Sequence, residues 1–325
     1  MKVNFFVEDM LFFKYIGCAT VAKTLYLELA ASPELAVSWK GYHPHADLVH
    51  YHTFGPVALL HKRLVTGKRV LTAHSTPRIN NGNIALARTI NRQYPRIYRK
   101  FDHIITISRP CHEEVTRMVP DMPVTLIPNG VDRTRFSHDP ARRAAFREEF
   151  GIGEDEKVAL VVAQLTPRKG LYDFFSLARA SPDTRFVWVG GFPYGALSKD
   201  YRKIRFSRQK CGDNVIFTGH VRNITDAYCG ADVFLMPSYA ETFGLVILEA
   251  LSCGLPVIAR DIPEFRDIFG GSILYFTGIG DVVRHLEGDR ELSMMASSAR
   301  RSTEPFDIAR IAKEHLALYR SLVES

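Results

Sequence analysis

Cysteine is sparse and unpatterned in this 325-residue sequence: Cys18, Cys111, Cys211, Cys229 and Cys253 are odd in number, scattered, and form no C-x-x-C. That argues against a disulfide framework, and a reduced cytosolic protein is the simplest account. No run approaches the ~20 apolar residues that a transmembrane helix needs. The N-terminus, MKVNFFVEDM, has one lysine and a short apolar run broken by Glu8 and Asp9, so it reads as a first strand and not a signal peptide. No Asp-x-Asp pair sits at a strand end, so no metal site is expected there. A ribonucleoprotein aromatic motif, a zinc finger and a helix-turn-helix signal are also missing, which argues against nucleic acid as the partner. The net charge of +7 permits three partners: an anionic membrane face, phosphorylated substrates and, at a distance, nucleic acid.

What is present is α/β patterning at a length that suits two domains of about 150 residues each. The most informative stretch is 237–260, PSYAETFGLVILEALSCGLPVIAR. An apolar run from Asp232 to Met236 feeds a turn. A helical apolar pattern follows through Leu251, and Gly254 and Pro256 close it before a second short strand, Val257 to Ala259. This is one βαβ unit, and its loop lies at the carboxyl end of a parallel strand, where open α/β sheets bind ligands. Backbone N–H groups at the helix start have no intrahelical partners, and Gly244 lets a ligand approach the main chain. Such a helix start favours phosphate or a hydroxylated group. Glu241 can accept hydrogen bonds from sugar hydroxyls, and Glu249, about two turns further in, can take both donors of a ribose diol. An ordinary N-cap region followed by a solvated helical glutamate accounts for the same spacing.

ETFGLVILEALSCGLPVIA resembles the Glu-x7-Glu signature of a large retaining glycosyltransferase family, family 4-like, that includes sucrose synthases and mannosyltransferases. The resemblance is long and gapless, with the Gly-Pro in register. It implies the GT-B architecture: two Rossmann-like α/β domains facing across a cleft, with the C-terminal helix crossing back to the N-terminal domain. It also implies that Glu241 contacts the donor sugar, that Thr242, Phe243, Gly244 and Leu245 line the donor site, and that Glu249 holds the nucleotide ribose.

Taken in order, Val3 to Val7 reads as the first strand, and Gly17-Cys18-Ala19 opens a helix to about Ala31. A small residue there lets a diphosphate or acceptor headgroup near the backbone, though a plain loop glycine fits equally; the resemblance puts Gly17 in the family's N-terminal glycine loop, with the usual pair reduced to one. His43, His45, His50 and His52 are conspicuous. Alternate strand positions share a face, so His50 and His52 are a possible zinc pair, but no third ligand of fixed spacing appears. Val70 to Ala73 is a strand followed by His74. A histidine at that end of a strand is placed for work in a cleft, or simply caps its own loop; the family's histidine at this turn hydrogen-bonds the donor sugar near its reacting carbon.

The segment 88–100, RTINRQYPRIYRK, interleaves Ile90, Tyr94, Ile97 and Tyr98 with arginines. With His61-Lys62-Arg63 and Lys68-Arg69 it makes the N-terminal half basic. Such a surface suits anionic lipid headgroups, and equally a solvated Rossmann helix. HSTPRINNGN, the basic helix and DHIITIS, and later ARDIPEFRDIF, resemble bacterial and archaeal enzymes that glycosylate diacylglycerol lipids. That subgroup implies UDP-glucose or UDP-galactose as donor, diacylglycerol or glycosyl-diacylglycerol as acceptor, and peripheral attachment to the inner face of the cell membrane.

Pro128-Asn129-Gly130-Val131-Asp132 is a turn cluster at a composition shift. It sets expected domains of 1–132 plus the final helix 306–325, and 133–305. Six further strands alternate with helices to about Tyr275. In Gln164-Leu165-Thr166-Pro167-Arg168-Lys169-Gly170, Arg168 and Lys169 are placed to neutralise a diphosphate, although a basic pair before a helix is common. The family's Arg-Lys-Gly at this turn binds the donor pyrophosphate. The catalytic set expected is therefore His74, Arg168, Lys169 and Glu241, with no metal or cofactor. Alternatives are the same fold on a soluble or polyprenyl-linked acceptor (a mannosyltransferase, for example), a nucleotide-sugar epimerase, or, at a distance, a nucleic-acid-binding protein.

Overall fold

A computed structural model describes residues 1–8, 17–80, 89, 91–193 and 195–324, with Asn80 and Leu197 as backbone only. The loop before Gly17, residues 81–83 of HSTPRINNGN, and Arg88 and Ile90 of the basic segment lie outside the described residues. The chain divides into two compact units, 1–130 with 306–325, and 131–305. Each holds a six-stranded, wholly parallel sheet.

In the first unit the strands are β1 (Lys2–Phe6), β2 (Ala36–Trp39), β3 (Leu48–Tyr51), β4 (Lys68–Thr72), β5 (His103–Thr106) and β6 (Val124–Leu126). Their order across the sheet is β2-β1-β3-β4-β5-β6. Helices cover both faces of such a sheet, which is why β3 (LVHY) and β5 (HIIT) are buried at every position. The C-terminal helix, Ile308–Glu324, packs on helix Gly17–Ala30 and puts Ile308, Ile311, Ala312 and Tyr319 into the same core as Val3, Phe5 and Leu25. The chain's last segment thus completes the first unit.

The second unit contains β7 (Lys157–Val162), β8 (Thr184–Val189), β9 (Val215–Gly219), β10 (Val233–Met236), β11 (Val257–Arg260) and β12 (Leu274–Phe276), ordered β12-β11-β10-β7-β8-β9. From β7 the chain runs outward through β8 and β9, then returns to β10 and runs outward the other way. The order therefore reverses between β7 and β10, and that reversal opens a crevice at the strands' carboxyl ends.

The unit's first helix, Pro140–Phe150, starts where local chemistry dictates: Asp139 accepts from Ala141 N at 2.9 Å, and Pro140 occupies the first turn. From it Arg147, 2% exposed, donates to Asp232 at 2.8 Å and to the carbonyls of Gly153, Glu154, Glu156 and Gly230 at 2.6–3.1 Å. A buried guanidinium is tolerated because its donors are used.

Candidate active site

Two loops meet at the β7–β10 reversal. After β7 the chain turns through Pro167–Lys169 into Gly170, which has φ +77°, and a Cβ there would run into the Pro237 carbonyl. Only glycine fits a backbone that is left-handed and pressed against its neighbour. After β10 the loop ends at Gly244 (φ +91°), where a Cβ would stand 2.8 Å from Phe265 Cε1, and helix Leu245–Ser252 begins. The loops are sewn together: Tyr239 N donates to Arg168 O at 2.9 Å, and Arg168 Nη1 donates to Ala240 O at 2.6 Å.

This sewing brings three of the expected residues together. Lys169 Nζ donates to Glu241 Oε1, and Arg168 stands 3.6 Å from the same carboxylate oxygen. Burial pushes the Glu241 carboxyl up, but the Lys169 and Arg168 charges outweigh it and hold the group below its ordinary range. Burial lowers the Lys169 ammonium from its ordinary value, with Glu241 working against that shift. Two cations and one carboxylate with little solvent around them make a strong local field that a charged ligand would feel.

Glu249 lies further into the helix, 6% exposed, and accepts from Tyr228 Oη at 2.6 Å. Burial raises its carboxyl to about 7, the phenol's hydrogen bond only partly opposing that. A group with this affinity for protons changes charge around neutrality. Phe243 is buried and meets Phe269 edge-on at 6.4 Å, so this residue offers a ligand main chain only. Thr242 and Leu245 are partly exposed at the loop's end.

Nothing in the sequence pattern marked the clamp that holds the loop. Arg260 on β11 lies over the Tyr239 ring at 3.9 Å, donates to Pro237 O at 3.1 Å and pairs with Asp173, which also accepts from Tyr239 Oη at 2.7 Å. Tyr228, the partner of Glu249, was likewise unmarked. Both links join residues remote in sequence, where periodicity carries no signal.

In the first unit, His74 follows β4 and its Nε2 lies 2.9 Å from His52 Nδ1. Burial, with His315 nearby, lowers its imidazole to about 3, so the ring is neutral. His50 uses both nitrogens, with Tyr319 Oη and Thr72 Oγ1 each at 2.6 Å. Gly17 opens its helix exposed, and among the described residues nothing lies within 4 Å of where a Cβ would stand. On these neighbours nothing local requires glycine there.

Residues 142–277 match the family of glycosyl transferases group 1, and residues 18–135 match Glycosyltransferase Family 4. The chain belongs to these glycosyltransferases. Within the family it is 29% identical over 237 residues to an alpha-galactosylglucosyldiacylglycerol synthase of Streptococcus pneumoniae, covering 70% of this chain and 63% of that one. It is 34% identical over 205 residues to a processive diacylglycerol alpha-glucosyltransferase of Acholeplasma laidlawii, covering 61% of each. The chain spans about three fifths of the length of the curated relatives it matches. Among solved structures, sucrose-phosphate synthase from Thermosynechococcus elongatus is similar with a TM-score of 0.83 at 19% identity, covering 100% of this chain and 99% of that one. That likeness establishes the GT-B fold.

Proposed function

We propose that this glycosyltransferase moves a hexose, with retention, from a UDP-sugar (UDP-glucose or UDP-galactose) to a membrane lipid acceptor such as diacylglycerol or a glycosyl-diacylglycerol. The observation that carries the reading is the Arg168–Lys169–Glu241 cluster at the β7–β10 reversal, the position where open α/β sheets take nucleotides. Lys169 and Glu241 satisfy one another. When donor binds, the diphosphate takes the two cations and the sugar hydroxyls take the carboxylate. Glu249 accepts the ribose diol, the amides at the start of helix Leu245–Ser252 face the phosphates, and His74 donates to the sugar. The acceptor hydroxyl attacks the anomeric carbon on the face the diphosphate leaves; a C–O bond to that carbon forms as the one to phosphate breaks, and the proton passes to a departing phosphate oxygen. Arg168 and Lys169 neutralise the leaving charge, so the scheme assigns no role to a metal ion or other cofactor.

The lipid acceptor draws support from the relatives' names and from a surface feature. Val57, Leu60 and Leu64 are 41%, 58% and 51% exposed beside Lys62 and Arg63. Apolar side chains among cations match an anionic bilayer, where the leucines enter the headgroup boundary and the cations meet phosphate. The protein would then work at the cytoplasmic face of the membrane as a peripheral enzyme. The test is to offer UDP-glucose, UDP-galactose and GDP-mannose with diacylglycerol in mixed micelles and identify products by mass spectrometry. A hexosyl-diacylglycerol from a UDP-sugar supports the reading; transfer only to a water-soluble acceptor, or only from GDP-mannose, refutes it.

A further inference from the structure

The histidines at the ends of β3 and β4 form a chain, and only its outer member, His74, has a role in the scheme above. His52 is 3% exposed; its ring stacks on Phe5 (centroids 5.7 Å, 17°), meets His50 at a tilt (4.1 Å, 37°), and lies nearly parallel to His74 (5.2 Å, 22°). Its Nδ1 is 2.9 Å from His74 Nε2, while its own Nε2 is buried with no hydrogen-bond partner among the described residues. His50 is pinned on the other side by Tyr319 of the C-terminal helix and by Thr72. The His52 ring is therefore fixed by packing and can be satisfied on one nitrogen only.

Two arrangements of the shared proton are possible between two neutral imidazoles. If His74 Nε2–H donates, His52 must carry its own proton on Nε2, leaving a buried N–H unpaired. If His52 Nδ1–H donates, the unpaired atom is a lone pair. Orphaned buried donors are the rarer and costlier of the two. We infer that His52 is a positioning residue that locks His74 in the tautomer with its proton on Nδ1. In water a neutral imidazole favours Nε2–H, so the pair inverts the default. His74 then meets the donor sugar only as a hydrogen-bond donor through Nδ1, a fixed polarity aimed at a hydroxyl oxygen. The C-terminal helix takes part at one remove, since Tyr319 holds His50 and the His50 ring packs against that of His52.

This inference rests on the reading that His74 faces the donor sugar, and the experiment separates the two. Long-range nitrogen–proton correlation of the histidine side chains is recorded on the full chain at pH 7.5, His74 being assigned by its loss in His74→Gln. The parent is expected to show His74 protonated on Nδ1. His52→Asn keeps an N–H where His52 has Nδ1, whereas His52→Gln carries its amide out to the Nε2 position. His52→Asn should keep the Nδ1–H tautomer and a near-parental kcat. His52→Gln should move His74 toward Nε2–H and lower kcat by about 10–100-fold, with KM for the donor changed less than threefold. A parent with His74 protonated on Nε2, equal tautomers in the two variants, or a tautomer change without loss of kcat each overturns the inference. Full activity in His74→Gln would instead overturn the reading beneath it, whatever the tautomers show.

Discussion

Replacing Glu249 by glutamine converts a buried proton-binding site into a neutral group of the same shape, and the consequence for stability has a definite sign. Burial raises this carboxyl from the ordinary 4.5 to about 7. Below about pH 4.5 the group is protonated whether the chain is folded or not, and costs nothing. Between there and pH 7 the unfolded chain gives up its proton while the folded chain keeps it, so stability falls as pH rises. Above pH 7 the whole cost is present: at about 1.4 kcal/mol per tenfold change in proton affinity, it is roughly 3 kcal/mol. Glu249→Gln abolishes that slope. Its amide oxygen still accepts from Tyr228 Oη, at a loss of about 1 kcal/mol because the acceptor is neutral. The advantage of the variant over the parent should therefore grow by about 2–3 kcal/mol between pH 5 and pH 8.5. Urea unfolding followed by tryptophan fluorescence reads this directly. Of the two tryptophans, Trp188 is fully buried in the second unit, so a Trp39→Phe background makes the signal specific to it. The reasoning fails if the stability difference is the same, within about 0.5 kcal/mol, at both pH values. UDP affinity supplies the functional side, since a carboxylate accepts both ribose hydroxyls where a protonated group cannot. It should improve as pH rises through 7 in the parent and show no such rise in the variant.

Other substitutions test other parts of the account. Arg168→Ala and Lys169→Ala should each lower kcat for hexose transfer by about 10–1,000-fold, and near-parental turnover in both would remove the diphosphate role. Leu60→Asp with Leu64→Asp should release the protein from vesicles containing anionic lipid, while the parent sediments with them at low salt and dissociates as salt rises; unchanged sedimentation of the double variant would rule this patch out. Arg147→Ala leaves Asp232 to Arg143 and the Val158 amide and removes a donor from four carbonyl oxygens, and should cost about 3 kcal/mol on the Trp188 transition without altering the donor KM.

Where the physics was local or periodic, the sequence carried it. Buried parallel strands are apolar without alternation, so KVALVV and VFLM announce themselves, as does the helix start at Asp139-Pro140. The strand AVSW does not: it is a sheet edge, partly exposed along its length, and only the structure reveals it. The shared face of His50 and His52 follows from strand pleating, and their rings do meet, tilted at 37°. What the spacing left open was their partners, because Tyr319 arrives from the other end of the chain. Glu249 was legible as a helical carboxylate, but its burial and the Tyr228 contact that make it titrate near neutrality belong to packing. The loop of Glu241 was legible through its glycine and its motif; the Arg260–Asp173–Tyr239 clamp beneath it was not, since side chains on three separate elements carry no periodic mark. Phe243 sits inside the signature yet faces the core, a distinction that depends on which way one loop residue points.

The central claim is that the β7–β10 reversal receives the nucleotide diphosphate, and a crystal structure of the full chain with UDP tests it most directly. The account predicts diphosphate oxygens within hydrogen-bond distance of Lys169 and Arg168, the Lys169–Glu241 contact opened, and both ribose hydroxyls on Glu249. UDP bound elsewhere on the chain, with the Lys169–Glu241 pair intact, would contradict it.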